Sequence, residues 1–162
     1  MASPIWVVDS SSIILARSLY SREAYLVVLD GLGALVEDGR LVFPREVIAE
    51  LERYAGETNP ALRWAKEYQA AASARQPSFG AVAAVLAEVP EVLDPDKEGV
   101  EEADPYVLAM AMELRKNHDV RVVTEEFKTT TRKMPLGSAA GYLGIPSVSL
   151  KTLVKFEGIA EF

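Results

Sequence analysis

The sequence contains no cysteine and only one histidine, so several kinds of functional site are excluded at once. Without cysteine there is no disulfide, no cysteine-ligated zinc or iron–sulfur site and no cysteine nucleophile. No apolar run approaches the roughly 18 residues of a membrane span, and the start carries no basic segment followed by an apolar stretch. These absences predict a cytoplasmic protein with no membrane partner, and they restrict the metal ligands almost entirely to oxygen atoms.

Positive charge is also scarce, since 17 Lys and Arg stand against 24 Asp and Glu, giving a net charge of −7. That balance argues against the broad cationic surface of tight, nonspecific nucleic-acid binders. A nucleic-acid substrate remains compatible with it if a local basic strip or a bound metal makes the contact. The chain is expected to form a single domain over 1–162, which is long enough to bury a full core.

Short apolar strands alternate with helical patterns along the chain. The predicted strands are Ile5–Val8, Leu41–Phe43, Val92–Leu93, Val120–Thr124 and the segment near Ser147–Leu150. Helical patterns cover 11–20, 23–37, 44–55, 60–74, 78–89 and 105–116. This alternation predicts an α/β fold, a three-layer α/β/α sandwich around a short parallel sheet.

Acidic residues follow two of the predicted strands. Asp9 comes directly after IWVV, and Glu125 and Glu126 come after VRVVT. In open parallel sheets, ligands bind beyond the carboxyl ends of the strands. Two helical patterns supply further acids, because Glu50 borders the apolar stripe of FPREVIAELERY and Asp104 opens a helix that is apolar on nearly every side. The sequence therefore predicts one crevice that collects several carboxylates.

Each of these acids also has an ordinary structural interpretation. Asp104 precedes a proline and fits a helix N-cap, and the serines after Asp9 fit the cap of the first helix. Glu50 can be a solvated helix residue, as is expected of Glu46 and Glu52. Only the joint occurrence of the acids favours a catalytic or metal-binding site.

Four segments, VVDSSSII, FPREVIAEL, ADPYVLAMA and RVVTEE, occur in the order found in PIN-domain nucleases, and the chain resembles that family of small metal-dependent ribonucleases. By motif position the resemblance implies four catalytic and metal-binding acids, Asp9, Glu50, Asp104 and Glu126. Ser11 and Thr124 match polar positions that orient the ligands or the phosphate. The last segment departs from the family pattern of Thr, any residue, Asp, and it leaves Glu125 as an alternative to Glu126.

The resemblance implies a PIN-like ribonuclease that uses Mg²⁺ or Mn²⁺ to hydrolyse phosphodiester bonds of single-stranded RNA. Oxygen ligands without cysteine are those that these two cations prefer. Because many members of the family are toxins of toxin–antitoxin pairs, an antitoxin protein and a second copy of the chain are the expected partners. The alternative is a PIN-like module of weak or no activity that binds a partner.

Other features of the sequence give weaker indications of function. His118 precedes a predicted strand and is expected to be a loop residue, whereas Lys128, Arg132 and Lys133 are candidates for contacts with the RNA backbone. The segment DPDKEGVEEADP begins like a calcium loop but has a proline where the bidentate glutamate is required, so it is expected to be a solvated connector. A phosphotransfer enzyme with Asp9 as nucleophile would need a second aspartate two residues later, where the chain has serine.

Overall fold

The structure is a computed structural model that describes residues 3–56, 59–96, 102–127 and 133–160. Its four strands form one parallel sheet in the order β2-β1-β3-β4, with β1 Ile5–Val8, β2 Leu41–Val42, β3 Val120–Val123 and β4 Ser147–Val148. Eight helices in the described part flank the sheet: α1 Ser10–Leu19, α2 Arg22–Glu37, α3 Glu46–Ala55, α4 Pro60–Ala72, α5 Phe79–Glu88, α6 Asp104–Leu114, α7 Leu136–Tyr142 and α8 Leu150–Phe156. The predicted three-layer α/β/α fold is confirmed. Within the described ranges, no helix is both long and apolar enough to cross a membrane.

Strand β1 lies inside the sheet and is buried along its whole length. It pairs in parallel with β2, where Trp6 lies beside Leu41, and with β3, where Val8 lies beside Val123. A strand with neighbours on both edges and helices on both faces has no side that tolerates a polar residue, which explains the run IWVV. The same register places the carboxyl ends of β1 and β3 side by side.

Polar side chains set the starts of most helices by accepting a hydrogen bond from a backbone N–H of the first turn, which no helical carbonyl can satisfy. These capping residues are Asp9, Ser21, Asn59, Ser78 and Ser149. Because Asp9 is among them, α1 begins directly at the carboxyl end of β1. The helical boundaries therefore follow local side-chain chemistry closely.

Two predicted elements differ from the observed ones. The strand predicted at Val92–Leu93 is wrong, because Pro90–Val92 forms a single turn of 3-10 helix in which the amide of Val92 donates to the carbonyl of Val89. The segment near Ser147–Leu150 is a strand only over Ser147–Val148, since Ser149 caps α8. Helices α7 and α8 have seven residues each, too few for a hydrophobic period to predict them.

Some acids expected in solvent are buried. Glu46 is inside the fold, where its carboxylate accepts a 2.6 Å hydrogen bond from Gln76 and pairs with Arg45. Asp94 and Glu102, near the two ends of the predicted connector, are buried as well, and the amide of Asp94 donates to the Glu102 carboxylate at 2.9 Å. The expectation of solvated side chains is wrong at these positions, and 97–101 lie outside the described residues.

Candidate metal centre

The sheet positions the first acid of the site. The amide of Asp9 donates to the carbonyl of Val123 at 2.9 Å, so the residue just beyond β1 lies against the end of β3. Thr124 is the corresponding residue beyond β3, and its hydroxyl donates to Asp9 Oδ2 at 3.1 Å. Both side chains are completely buried. The parallel register alone therefore brings Asp9 and Thr124 into contact.

Hydroxyl and amide donors from α1 hold the Asp9 carboxylate. Its Oδ1 accepts from the amide of Ser10 at 2.8 Å, and its Oδ2 accepts from the Ser11 hydroxyl at 2.8 Å. The Ser11 hydroxyl oxygen also accepts from the amide of Glu125 at 3.0 Å and lies 3.2 Å from the Thr124 hydroxyl. Ser11 and Thr124 thus contact the first acid directly, in the positions that orienting side chains require.

Three acids converge beyond the sheet. Asp9, Asp104 and Glu126 each offer one carboxylate oxygen, and these oxygens all lie within 4.8 Å of one another. Asp104 is the first residue of α6 and is 2% exposed, while Glu126 is half-buried. Two oxygens bound to one Mg²⁺ at about 2.1 Å lie at most about 4.2 Å apart, so a small side-chain adjustment suffices to gather all three. We call these three residues the acidic triad.

Glu50 lies beside the acidic triad. It is buried on α3, and its Oε1 is 2.6 Å from the hydroxyl of Ser10, whose oxygen is 3.4 Å from Asp9 Oδ1. Its other oxygen is 4.0 Å from the Arg53 guanidinium. Glu50, the remaining predicted acid, therefore lies in the same crevice and is linked to Asp9 through the Ser10 hydroxyl.

The two consecutive glutamates after Thr124 have different neighbours. The amide of Glu126 donates to the Thr124 hydroxyl at 3.1 Å, and its carboxylate belongs to the acidic triad. The carboxylate of Glu125 instead accepts from the Ser12 hydroxyl at 3.0 Å and from the amide of Leu150, at the start of α8, at 3.1 Å. Of the two glutamates, Glu126 therefore lies in the acidic triad and Glu125 lies at the N-terminus of α8.

Burial and mutual repulsion raise the pKa of both buried aspartates. For Asp9, burial is the largest cause, the charges of Asp104, Glu126 and Glu50 add to it, and the pKa lies well above the ordinary 3.8. For Asp104, burial and then the charge of Glu126 raise the pKa to about 7, against the opposing ammonium of Lys133. Without a bound cation, the carboxylates are thus short of positive charge.

Lys133 brings one ammonium group to the acidic triad. Its Nζ is 2.7 Å from Asp104 Oδ2 and 3.4 Å from Glu126 Oε1, with 19% of its side chain exposed. Burial lowers the pKa of Lys133, but the charge of Asp104 and the hydrogen bond to it outweigh burial and raise the pKa above its ordinary value. Lys133 was predicted only as a contact for RNA, because nothing in the sequence ties position 133 to position 104. Lys128 and Arg132 lie outside the described residues.

The donor set fits a hard divalent cation. The acidic triad and Glu50 contribute four carboxylates, against which stand the contacting cations Lys133 and Arg53, so two negative charges remain when all groups are ionised. Every available donor is an oxygen, the ligand type of Mg²⁺ and Mn²⁺. His118, by contrast, is exposed before the amino end of β3, away from these carboxylates, as expected for a loop residue.

Comparison with known proteins identifies a family that covers nearly the whole chain. Residues 6–160 match the model of a family described as Domain of unknown function (DUF4411). The match reaches from β1 to the residues that follow α8, so it includes all the acids of the candidate centre. No curated protein and no solved structure matches the chain.

Proposed function

We propose that this chain, which belongs to the DUF4411 family, is a Mg²⁺- or Mn²⁺-dependent ribonuclease that hydrolyses phosphodiester bonds of single-stranded RNA. The observation that carries the proposal is the convergence of Asp9, Asp104 and Glu126 within 4.8 Å, beyond the carboxyl ends of parallel strands. The resemblance of the four acidic segments to PIN-domain nucleases supports the choice of reaction and substrate.

In the proposed reaction, the acidic triad holds the cation, and Glu50 adds negative charge at the edge of the crevice. When bound, the cation would supply polarisation of the phosphodiester, a water of lowered pKa and stabilisation of the leaving oxygen. Ser11 and Thr124 keep the Asp9 carboxylate in one orientation, since both hydroxyls contact its Oδ2. Because Asp9 and Thr124 are completely buried, this orientation is fixed before substrate arrives.

Lys133 has two roles in this proposal. Without a divalent cation, its ammonium neutralises part of the charge on Asp104 and Glu126. A bound cation would compensate the carboxylates, and the Lys133 ammonium would then be available to a phosphate oxygen of the substrate, because the lysine stem has rotatable bonds. The same side chain thus stabilises the resting protein and adds positive charge beside the scissile phosphate.

The resemblance to PIN-domain nucleases also leads us to propose a cytoplasmic location, a toxin role with an antitoxin partner, and a homodimer. These features are independent of the chemistry. Light scattering on the purified chain tests the dimer, and co-expression with a neighbouring encoded protein tests the antitoxin. A monomeric mass and normal cell growth on overexpression would contradict this part of the proposal and leave the nuclease chemistry standing.

The second candidate function is a partner-binding module of weak or no activity. The ion pair of Lys133 with Asp104 favours it, because an ammonium supplied by the chain itself already occupies the acids. Such a module would bind no divalent cation at the acidic triad and would cleave no RNA at high protein concentration.

The test is cleavage of a labelled, mixed-sequence single-stranded RNA of about 20 nucleotides, with Mg²⁺, with Mn²⁺ and with EDTA. Asp104→Asn is expected to lower the rate about 100-fold or more, the usual cost of removing a group that stabilises charge in the transition state. Asp119→Asn is the matched control, because Asp119 is an exposed aspartate at the opposite end of β3. Cleavage that persists in EDTA or in Asp104→Asn would refute the proposal, and no cleavage at all would favour the partner-binding module.

A further inference from the structure

Three arginines without partners line one cavity. Arg17, Arg22 and Arg63 surround an open space of ≈ 570 Å³ together with Tyr25, Leu26 and Pro60. Within the described ranges, the guanidinium groups of these three make no hydrogen bond or ion pair. The other described arginines each contact a carboxylate or a backbone carbonyl: Arg40, Arg45, Arg53, Arg75, Arg115 and Arg121. In a chain with a net charge of −7, this gathering of unpaired cations is unusual.

Two helices add positive potential to the same cavity. Arg22 is the first residue of α2, whose first turn also contains Glu23, and Arg63 is the fourth residue of α4, whose first turn contains no acid. A helix N-terminus carries partial positive charge, so it favours anions and disfavours cationic side chains. At the start of α4, where no acid of the first turn balances Arg63, a bound anion would offset the electrostatic cost.

Tyr25 supplies an independent sign that the cavity takes a ligand. Its side chain is 4% exposed, and its buried hydroxyl has no hydrogen-bond partner among the described residues. Burial raises the pKa of Tyr25, and the charge of Arg17, which lines the same cavity, opposes this rise. Buried hydroxyls nearly always have a partner, and a small shift of the Tyr25 ring towards the cavity would let the oxygen of a bound anion provide one.

Helix α1 connects this cavity to the acidic triad. Ser10, in its first turn, contacts both Asp9 and Glu50, and Arg17 follows seven residues later. Seven residues are almost two full turns, so Ser10 and Arg17 lie on the same face of α1, about 10 Å apart along its axis. A single extended strand of nucleic acid can therefore contact both places.

We infer that the cavity lined by Arg17, Arg22, Arg63 and Tyr25 is a phosphate-binding subsite that holds the backbone of the RNA strand whose cleavage is proposed at the acidic triad. This inference rests on the proposed ribonuclease function. Guanidinium groups bind phosphate oxygens through paired N–H donors, and three of them surrounding a cavity suit an anion with several equivalent oxygens. An acidic peptide is the competing occupant, but the shared face of α1 favours the strand that must also reach the acids.

The experiment measures the binding of fluorescein-labelled decauridylate by anisotropy in EDTA, where no metal-dependent cleavage occurs. We expect Arg63→Ala to weaken binding about 5- to 10-fold and the triple variant R17A/R22A/R63A about 100-fold or more. Removal of each arginine that binds a phosphate is expected to reduce the slope of log affinity against log salt by about 0.7. Arg75→Ala is the matched control, since it removes an exposed arginine whose guanidinium donates to the Gly39 carbonyl far from the cavity lining.

Melting temperatures and a second variant show whether a loss of RNA binding comes from the subsite or from unfolding. Because the three arginines lack partners in the described part of the chain, their removal is expected to leave the melting temperature unchanged or higher, so a loss of RNA binding reports the subsite. Tyr25→Phe removes only the hydroxyl and is expected to weaken binding about twofold without a loss of stability. Weaker binding in the arginine variants but not in Arg75→Ala would support the subsite.

The outcomes separate this inference from the proposed function. Arginine variants that bind decauridylate like the wild type, or a wild type that does not bind it, would overturn the subsite whether or not RNA is cleaved. Tighter, arginine-dependent binding of decaglutamate would overturn it in favour of an acidic protein partner. Arginine-dependent RNA binding without cleavage in Mg²⁺ or Mn²⁺ would support the subsite and refute the ribonuclease.

Discussion

Two of the regions in which this fold buries carboxylates differ in how much positive charge accompanies the acids. Glu157, just after α8, accepts hydrogen bonds from the Arg40 guanidinium at 2.6 and 2.7 Å and from the Trp6 indole at 3.1 Å. At the acidic triad, Asp9 is held by hydroxyl groups and an amide, and Asp104 shares the single ammonium of Lys133 with Glu126. The carboxylate of Glu157 is therefore neutralised by Arg40, whereas the three carboxylates of the acidic triad share one ammonium.

The two regions differ in how the cost of burying a carboxylate is offset. The pair of Glu157 and Arg40 joins the residue after α8 to the turn before β2, and the contact of one guanidinium nitrogen with both carboxylate oxygens offsets the cost of burial. The acidic triad has one ammonium, that of Lys133, for three carboxylates, and burial together with repulsion raises the pKa of Asp9 and Asp104. The proposed metal centre accounts for this shortage, because a bound divalent cation would supply the missing positive charge.

The largest expected effect separates the two glutamates after Thr124. Glu126→Gln is expected to lower metal-dependent cleavage about 100-fold or more, since it removes a carboxylate of the acidic triad. Glu125→Gln is expected to keep the cleavage rate within a few-fold and to lower the free energy of unfolding by about 1 kcal/mol, because Glu125 accepts from the first amide of α8. Rates measured at a temperature where both variants are folded check this, and equal losses of activity would contradict the assignment.

Two substitutions are expected to change stability in opposite directions. Glu157→Gln should lower the free energy of unfolding by about 1–3 kcal/mol, because Arg40 and Trp6 lose a charged acceptor. Asp104→Asn should raise it by about 1 kcal/mol at pH 7 without metal, because repulsion is relieved while an oxygen remains for Lys133. Urea unfolding in EDTA measures both, and a destabilised Asp104→Asn would remove the contrast between the two regions.

Stability of the metal-free protein is expected to fall as pH rises from about 4 to 7. The pKa of Asp104 is about 7 in the fold against 3.8 ordinarily, so between these values the folded state binds more protons than the unfolded chain. One such group gives a slope of at most about 1.4 kcal/mol per pH unit. Melting at pH 5 and pH 7 tests the sign, and Asp104→Asn or saturating Mg²⁺ should flatten the dependence. Stability that rises equally in the wild type and in Asp104→Asn would contradict it.

The smallest expected effect concerns Lys133. Lys133→Met removes an ammonium 2.7 Å from Asp104, so the acidic triad should bind Mn²⁺ about 3- to 10-fold more tightly while cleavage becomes slower. Lys66→Met is the control, because Lys66 is an exposed lysine paired with Glu52 on the surface. Weaker Mn²⁺ binding in Lys133→Met would show that the lysine supports the site rather than competing with the cation.

The sequence was sufficient to predict the four strands of the sheet, together with one strand that does not form, and the acids at the edge of the sheet. An apolar run such as IWVV has to be a buried parallel strand, and whatever follows it lies at the ligand-binding edge, so Asp9 was identifiable. Asp104 was identifiable because an apolar helix following an acid has to be buried near its start. For both Asp9 and Asp104, the local apolar pattern and the burial of the neighbouring strand or helix predict the same position at the edge of the sheet.

Features that depend on distant partners could not be predicted. The orientation of Glu125 depends on the amide of Leu150, at the start of a seven-residue helix with no hydrophobic period of its own. Lys133 contacts Asp104, which lies 29 positions earlier in the sequence. The burial of Glu46 depends on a hydrogen bond from Gln76, 30 positions later. The arginine cavity likewise assembles from three helices, and each arginine taken alone is an ordinary surface residue.

The most direct test of the central claim is calorimetric titration of the metal-free protein with Mn²⁺, with Asp104→Asn and Glu157→Gln measured alongside. We predict that the wild type and Glu157→Gln bind Mn²⁺ and are stabilised by about 2.7 kcal/mol at 100 times the dissociation constant, whereas Asp104→Asn shows neither effect. Absence of binding to the wild type, or equal binding to Asp104→Asn, would contradict the claim that these acids form a metal centre.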